Sequence, residues 1–340
     1  MARLGTNPSR GKKVEVDPPR VTVAVLVYEP DQTGYFQNRL EVTKLTLQSI
    51  IKNTEKPYEL LVFDNGSCLE MTSYLRQLQS EGLIDTLVLS KHNIGKLNAL
   101  WRIANLAQGS LIAYSDDDVY HLPGWMPKHL QVYENFPNVG AVTGFYIKQR
   151  VVMSSDETLA WVAAYEKQNP ALVQRGNLIP RKWEEEYMDN SGRTEERYQS
   201  EVAGVEDIVV ERQGVKAWVS AHHFQVMTPK KVLLEVLSEM LEEGWSDQMM
   251  GRMVEMDDRM DGKGHLRLTT YEQTMRLLGN AIDEEVKALA SGQGISTTAA
   301  IALHDQSKSG GFWSNRYIQG LAHRVINWLY LRLHQNERSS

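Results

Sequence analysis

Ser110-Leu111-Ile112-Ala113-Tyr114-Ser115-Asp116-Asp117-Asp118 is the stretch on which the fold turns: an apolar run passes without a break into three carboxylates. His121-Leu122-Pro123-Gly124-Trp125 follows closely. The apolar part reads as a strand buried on both faces. If extended geometry continues through the acids, Asp116 and Asp118 converge while Asp117 points elsewhere. Loops at the carboxyl ends of parallel strands are where open α/β sheets bind ligands. Adjacent carboxylates repel one another unless a cation sits among them. Mg²⁺ or Mn²⁺ suits such a place, because these ions prefer oxygen and take one or two carboxylates beside substrate phosphates. The plainer reading is a solvated acidic turn leading into the next helix.

The flanking sequence repeats the theme. Val21 to Tyr28 is another buried-strand run, and Leu40, Val42, Leu45, Leu47, Ile50 and Ile51 follow mostly helical spacing. Tyr58 to Phe63 is a strand that stops at the turn sequence Asp64-Asn65-Gly66-Ser67. A helix over Met71 to Gln79, a strand over Thr86 to Ser90 and a helix over Lys96 to Leu106 come next. Past the triplet, Met126 to Asn135 reads as helix and Gly140 to Phe145 as strand. Strands alternating with helices predict an α/β domain: a Rossmann-like, mostly parallel sheet with helices on both faces.

These residues carry a family resemblance. The segment Val21 to Gly144 resembles the nucleotide-sugar-binding half of the family 2 glycosyltransferases, whose fold is called GT-A. The likeness is an ordered series: Val27-Tyr28, Phe63-Asp64-Asn65-Gly66-Ser67, Asn93-Ile94-Gly95-Lys96, then the triple Asp with Pro-Gly-Trp. It implies that Tyr28 and Asp64 approach the base, Lys96 lies near the nucleotide, Asp116 touches the ribose side and Asp118 reaches the metal. Glu29, Asn65 and Asp117 join the nucleotide-sugar set, and Asp116 joins Asp118 at the ion. Each residue alone has a bland alternative, such as core packing for Tyr28, an ordinary turn at Asp64 and a solvated helix-start lysine at Lys96. The loop Asp31 to Asn38 is longer than the family's usual one.

The second half resembles the family less closely. Ser154-x-x-Glu157 reads as a capping box, Lys182 to Gln199 as a charged, mobile excursion, and Thr228-Pro229 as the cap of a helix closed by Gly244. Ala221-His222-His223-Phe224 looks like the floor of the acceptor site, with His222, Arg259 and Trp245 as candidates for acceptor or diphosphate contact. A packed or surface histidine is the bland reading of His222. Met256-Asp257-Asp258-Arg259 stands where the family places its base. Asp257 is the first choice, Asp258 the second and Asp247 a more distant one, against a solvated acidic helix face. Trp125, Trp161, Trp183 and Trp245 are candidates for stacking on sugar rings, although most tryptophans pack.

Composition narrows the class. A net charge of −6 argues against nucleic acid as the main partner. One cysteine, Cys68, rules out an internal disulfide and fits a reducing compartment. The expected organisation is a disordered lead-in over 1–20, a nucleotide-sugar half over 21–145, an acceptor half over 146–280 with a charged insertion near 182–200, and a C-terminal helical extension over 281–340. In that extension Tyr317, Leu321, Val325 and Trp328 share a face with arginines nearby, as in a helix that packs on its own domain or lies on a membrane surface. The expected location is cytoplasmic, with peripheral membrane contact left open.

The function expected is metal-dependent transfer of a sugar from a nucleotide diphosphate, UDP favoured, to an acceptor hydroxyl with inversion. The acceptor (glycan, lipid-linked or small molecule) and the oligomeric state stay open. The rivals are a sugar nucleotidyltransferase, against which Glu29-Pro30-Asp31 is no phosphate loop, and an inactive nucleotide- or glycan-binding protein.

Overall fold

The computed structural model describes residues 9–13, 17–244 and 253–295. The expectations for Trp245, Asp247 and the segment past 295 lie outside the described residues. The first half builds β1 (Val21–Val27), α1 (Arg39–Asn53), β2 (Glu59–Asp64), α2 (Leu69–Ser80), β3 (Thr86–Leu89), α3 (Lys96–Leu106) and β4 (Leu111–Asp116). Then come β5 (Val119–His121), α4 (Trp125–Asn135), β6 (Val139–Thr143), α5 (Asp156–Gln168), β7 (Val173–Gly176), α6 (Arg181–Ser191) and α7 (Glu195–Glu201). The chain continues through β8 (Asp207–Arg212), β9 (Val215–Val219), β10 (Gln225–Pro229), α8 (Lys230–Glu242), α9 (Met253–Gly262), β11 (Leu266–Thr270), β12 (Met275–Leu277) and α10 (Glu284–Gly292).

The main sheet has the order β3-β2-β1-β4-β10-β6-β11-β9-β8-β7. β3, β2, β1 and β4 run parallel, as the alternating pattern predicts. Val23, Val25, Leu60 and Val62 enter one apolar core, while Ala24, Leu26, Leu61 and Phe63 enter the other. That alternation explains the unbroken apolar runs: both faces of β1 and β2 are covered, so neither parity is polar. Register then fixes the site, since Val27 pairs with Asp64 and Leu26 with Asp116.

The sheet as a whole is mixed. β10 runs antiparallel between β4 and β6, β11 is parallel to β6, and β9, β8 and β7 alternate. β8 and β9 form a hairpin through Gln213-Gly214, both at positive φ (53° and 79°), the tight turn that returns a strand beside itself. Two local expectations change. Lys182 to Gln199 lies mostly within two helices, α6 and α7, and its Met188 and Tyr198 are buried together with Val202, the residue after α7. The box at Ser154 does not form: Asp261, from α9, accepts the N–H groups of Glu157 (2.8 Å) and Thr158 (3.1 Å) and caps α5 from afar. A distant carboxylate satisfies the free N–H groups of the first turn and complements the helix dipole.

A second small sheet pairs β12 with β5. Between them and α4, Trp125 is fully buried and lies edge-on to His121 and His129, with its Nε1–H on Thr54 (3.0 Å). Burial depresses both imidazoles, His121 to about 3 and His129 to about 4, His129 also accepting from Gln225. The unfolded chain takes up protons below its ordinary pKa of 6.5 and the native one does not. Stability is therefore full above pH 6.5 and is lost as pH falls towards 4, with His129 alone costing on the order of 3 kcal/mol there. Urea melts from pH 8 to 4 should show that loss, with a shallower acid side in His129→Gln. An unchanged slope would rule this cause out.

Candidate active site

Three loops meet where β1, β2 and β4 end. After β2, the Ser67 N–H donates to the Asp64 carboxylate (3.2 Å), and the Ser67 hydroxyl accepts the Glu29 N–H (2.9 Å). Asn65 joins the next loop: its amide donates to Asn93 (3.0 Å) and its carbonyl oxygen accepts the Ile94 N–H (2.9 Å). Gly66 has φ +93°, and a Cβ there would meet the Asn93 nitrogen at 2.8 Å. Only glycine lets these two backbones approach so closely.

Lys96 opens α3 and donates to both oxygens of Asp116 (2.7 and 2.9 Å), which also accepts the Tyr114 hydroxyl. Strand geometry ends at Asp116; Asp117 and Asp118 form the turn into β5. Strand alternation therefore does not set their directions. Arg39, the first residue of α1, pairs with Asp117 through Nη2 and with Asp118 through Nη1 (2.8 Å). Asp117 is buried and also accepts the Tyr28 N–H (3.3 Å). Burial raises the Asp117 pKa, Arg39 pulls it back, and Asp118 and Asp116 push it up again, to about 6. Burial works against the Arg39 charge, but Asp117 and Asp118 outweigh it and raise its pKa. Glu29, buried beneath, rises to about 7 through burial and then Asp117. Asp116 and Asp118 remain partly exposed, with side chains 24% and 29% accessible.

Sequence reasoning missed Arg39. The available signal was a cation at a helix N-terminus, against the dipole preference, as at Lys96. Both are drawn there by carboxylates from another element.

The expected acceptor-side residues separate. His222 is buried, stacks on Phe224 and bonds the Phe145 carbonyl through Nε2 (3.0 Å). Burial and neighbouring positive charge hold its pKa well below 6.5. His223, half-buried, turns its Nδ1 to Asp257 (2.8 Å). Asp257 is buried and also paired with Arg267 (2.8 Å). Burial alone would raise its pKa, yet Arg267, His223 and Arg150 together hold it below the usual value. A carboxylate so paired has little capacity to take a proton. Asp258 is exposed. Arg259 is engaged by Glu255 (2.9 Å), Glu243 (2.9 Å) and Glu239 (3.9 Å), on the α8–α9 side rather than towards the Asp triplet. Trp161 stacks on Tyr165, and Trp183 meets Trp218 edge-on, which itself stacks on Tyr146 and Tyr271.

Residues 36–181 match the family described as glycosyl transferase family 2. The matched segment covers less than half of the chain. It holds Arg39, the loops after β2 and β3, and the Asp triplet. A curated relative, the glucosyl-dolichyl phosphate glucuronosyltransferase of Haloferax volcanii, is 31% identical over 112 residues, 32% of this chain. The match spans 35% of that relative's length. Among solved structures, the mannosyltransferase PcManGT from Pyrobaculum calidifontis in complex with GDP-Man and Mn²⁺ is similar at 15% identity and TM-score 0.44, over 97% of this chain and 86% of that one. S. aureus TarS 1-349 in complex with UDP-GlcNAc has 15% identity and TM-score 0.30, over 37% and 34%.

The matched segment holds a buried ion pair, which gives a stability test. Arg39→Met leaves Asp117 buried without its cation and should cost about 3–5 kcal/mol. Adding Asp117→Asn should restore much of that loss, and urea melts of the four chains in the cycle measure it. A single-variant cost near zero would mean that the pair is not structural.

Proposed function

We propose that the chain is a glycosyltransferase that binds a nucleotide-diphosphate sugar at the ends of β1, β2 and β4. The observation carrying this is the joining of 64–67, 93–96 and 116–118 into one hydrogen-bonded cradle. Asp64 and Tyr28 stand on the base side, Lys96 beside Asp116 near the ribose, and Asp118 at the diphosphate. Glu29 and Asn65 hold the loops that shape this cradle, and Asp117 anchors the triplet to Arg39.

The residues fit a divalent cation. Asp118 gives one oxygen to Arg39 and keeps the other without a partner among the described residues, while Asp116 is partly exposed beside Lys96. No cluster of three or more His, Cys, Asp or Glu suited to a metal occurs among the described residues, and Mg²⁺ or Mn²⁺ needs only one or two carboxylates when substrate phosphates complete its shell. When bound there, the ion neutralises charge on the departing diphosphate. Lys96 and Arg39 hold Asp116 and Asp118 in place, and Asp118 would be the residue to hold the ion.

The division into a nucleotide half over 21–145 and an acceptor half over 146–280 follows from the same reading, as does inversion by a single displacement. No helix among the described residues is long and apolar enough to cross a membrane. A cytoplasmic site of action, with peripheral membrane contact through the segment past 295, is part of the proposal.

Calorimetry with UDP and GDP in Mn²⁺, repeated in EDTA, tests the donor site and ranks the two nucleotides. Binding should weaken in EDTA and in Asp118→Asn, by about 10²-fold or more if the ion supplies the several kcal/mol usual for such charge neutralisation. Equal affinity in EDTA and in Asp118→Asn would remove the metal. Release of nucleoside diphosphate from nucleotide sugars supports transfer, whereas pyrophosphate-dependent exchange would make the chain a nucleotidyltransferase.

A further inference from the structure

We propose that His223 takes the proton from the attacking hydroxyl and that Asp257 positions it. The inference rests on the glycosyl-transfer reading and moves the base from the acidic run of α9 to the loop before β10.

Three observations carry it. First, His223 Nδ1 lies 2.8 Å from Asp257 Oδ2, and a carboxylate there accepts an N–H, so the lone pair is left on Nε2. A carboxylate fixing the tautomer of a partly open imidazole is the arrangement by which histidine serves as a general base. Second, the two partners differ in access: the His223 side chain is 17% exposed and that of Asp257 only 2%. Nε2 has no partner among the described residues. Third, the placement is right. The carbonyl of Phe224, the next residue, accepts the Asp116 N–H at 2.7 Å, so His223 stands beside the end of β4.

Charge around the dyad has a clear division. Arg267 takes the other oxygen of Asp257 at 2.8 Å, and Arg150 approaches Oδ2 at 3.8 Å. These cations keep Asp257 ionised, which removes it as a proton acceptor but leaves it an acceptor of the His223 N–H. His222, an adjacent titratable group, is buried and uncharged, with its Nε2 on the Phe145 carbonyl, and Asp258 and Asp261 lie near enough to act on Arg267. In the step itself the acceptor oxygen bonds to the anomeric carbon and the bond to the diphosphate breaks. The bonding pair leaves with the nucleoside diphosphate, and the hydroxyl proton goes to His223 Nε2.

Because the acceptor is unidentified, water serves as the attacking hydroxyl in the test. Full-length wild type and His223→Ala are incubated with UDP- and GDP-sugars in Mn²⁺, and nucleoside diphosphate release is followed with and without added imidazole. His223→Ala should release about 10²–10⁴-fold less, bind UDP or GDP as wild type does, and regain activity as imidazole is raised. A purely structural role would not respond to imidazole. Normal release by His223→Ala, or a loss that imidazole leaves unchanged, would overturn the proposal. Failure of the donor reading looks different: wild type itself would bind neither nucleotide, and the proposal would fall with it.

Discussion

Arg39 holds the site together. Three carboxylates emerge in succession at one strand end, with Lys96 and Arg39 as the cations paired to them. Without those cations the turn from β4 into β5 would concentrate like charge in a largely buried place, and burial of an unpaired charge costs several kcal/mol. Arg39 also donates to the Gly279 carbonyl (3.2 Å), so one guanidinium ties the start of α1, the Asp turn and the chain after β12. Its planar fork of donors suits several oxygens at once, which a lysine ammonium would not match.

With the triplet anchored from within, its members separate by task. Asp117 is inward and structural, whereas Asp116 and Asp118 keep partial exposure. The rest of the cradle is set by register: pairing with the end of β1 places Asp64 and Asp116 at the same edge of the sheet. The antiparallel β10 then matters, because its start lies at that edge and brings His222 to Phe224 beside the end of β4. A parallel strand in that position would have put its carboxyl end there instead.

What the sequence made legible was local. β1, β2 and β4 declared themselves as unbroken apolar runs, and Lys96 to Leu106 is the observed span of α3. The turn at Asp64 to Ser67 was readable from its residue types. The rest depends on partners far apart in the chain. Nothing near Asp117 announces Arg39, and nothing near Ser154 announces that Asp261 caps α5. The excursion near 182–200 looked mobile because its charges dominate its composition, yet Met188 of α6 and Tyr198 of α7 are buried together beside Val202. Between two adjacent histidines, only tertiary packing distinguishes the buried His222 from the half-buried His223. Likewise the acidic run Glu255 to Asp261 read as the place of the base, with a solvated helix face as the rival, but helical spacing turns Asp257 and Asp261 inward with Met253, Met256 and Met260.

The central claim is that nucleotide diphosphate and a divalent cation meet at the exposed oxygens of this anchored triplet. A crystal structure with UDP or GDP and Mn²⁺, with anomalous scattering recorded at the manganese edge, tests it most directly. The account expects a manganese peak between Asp118 and the diphosphate, the base against Asp64, and Asp117 still paired with Arg39. Nucleotide bound away from the ends of β1, β2 and β4, or a manganese peak absent from the Asp triplet, would contradict it.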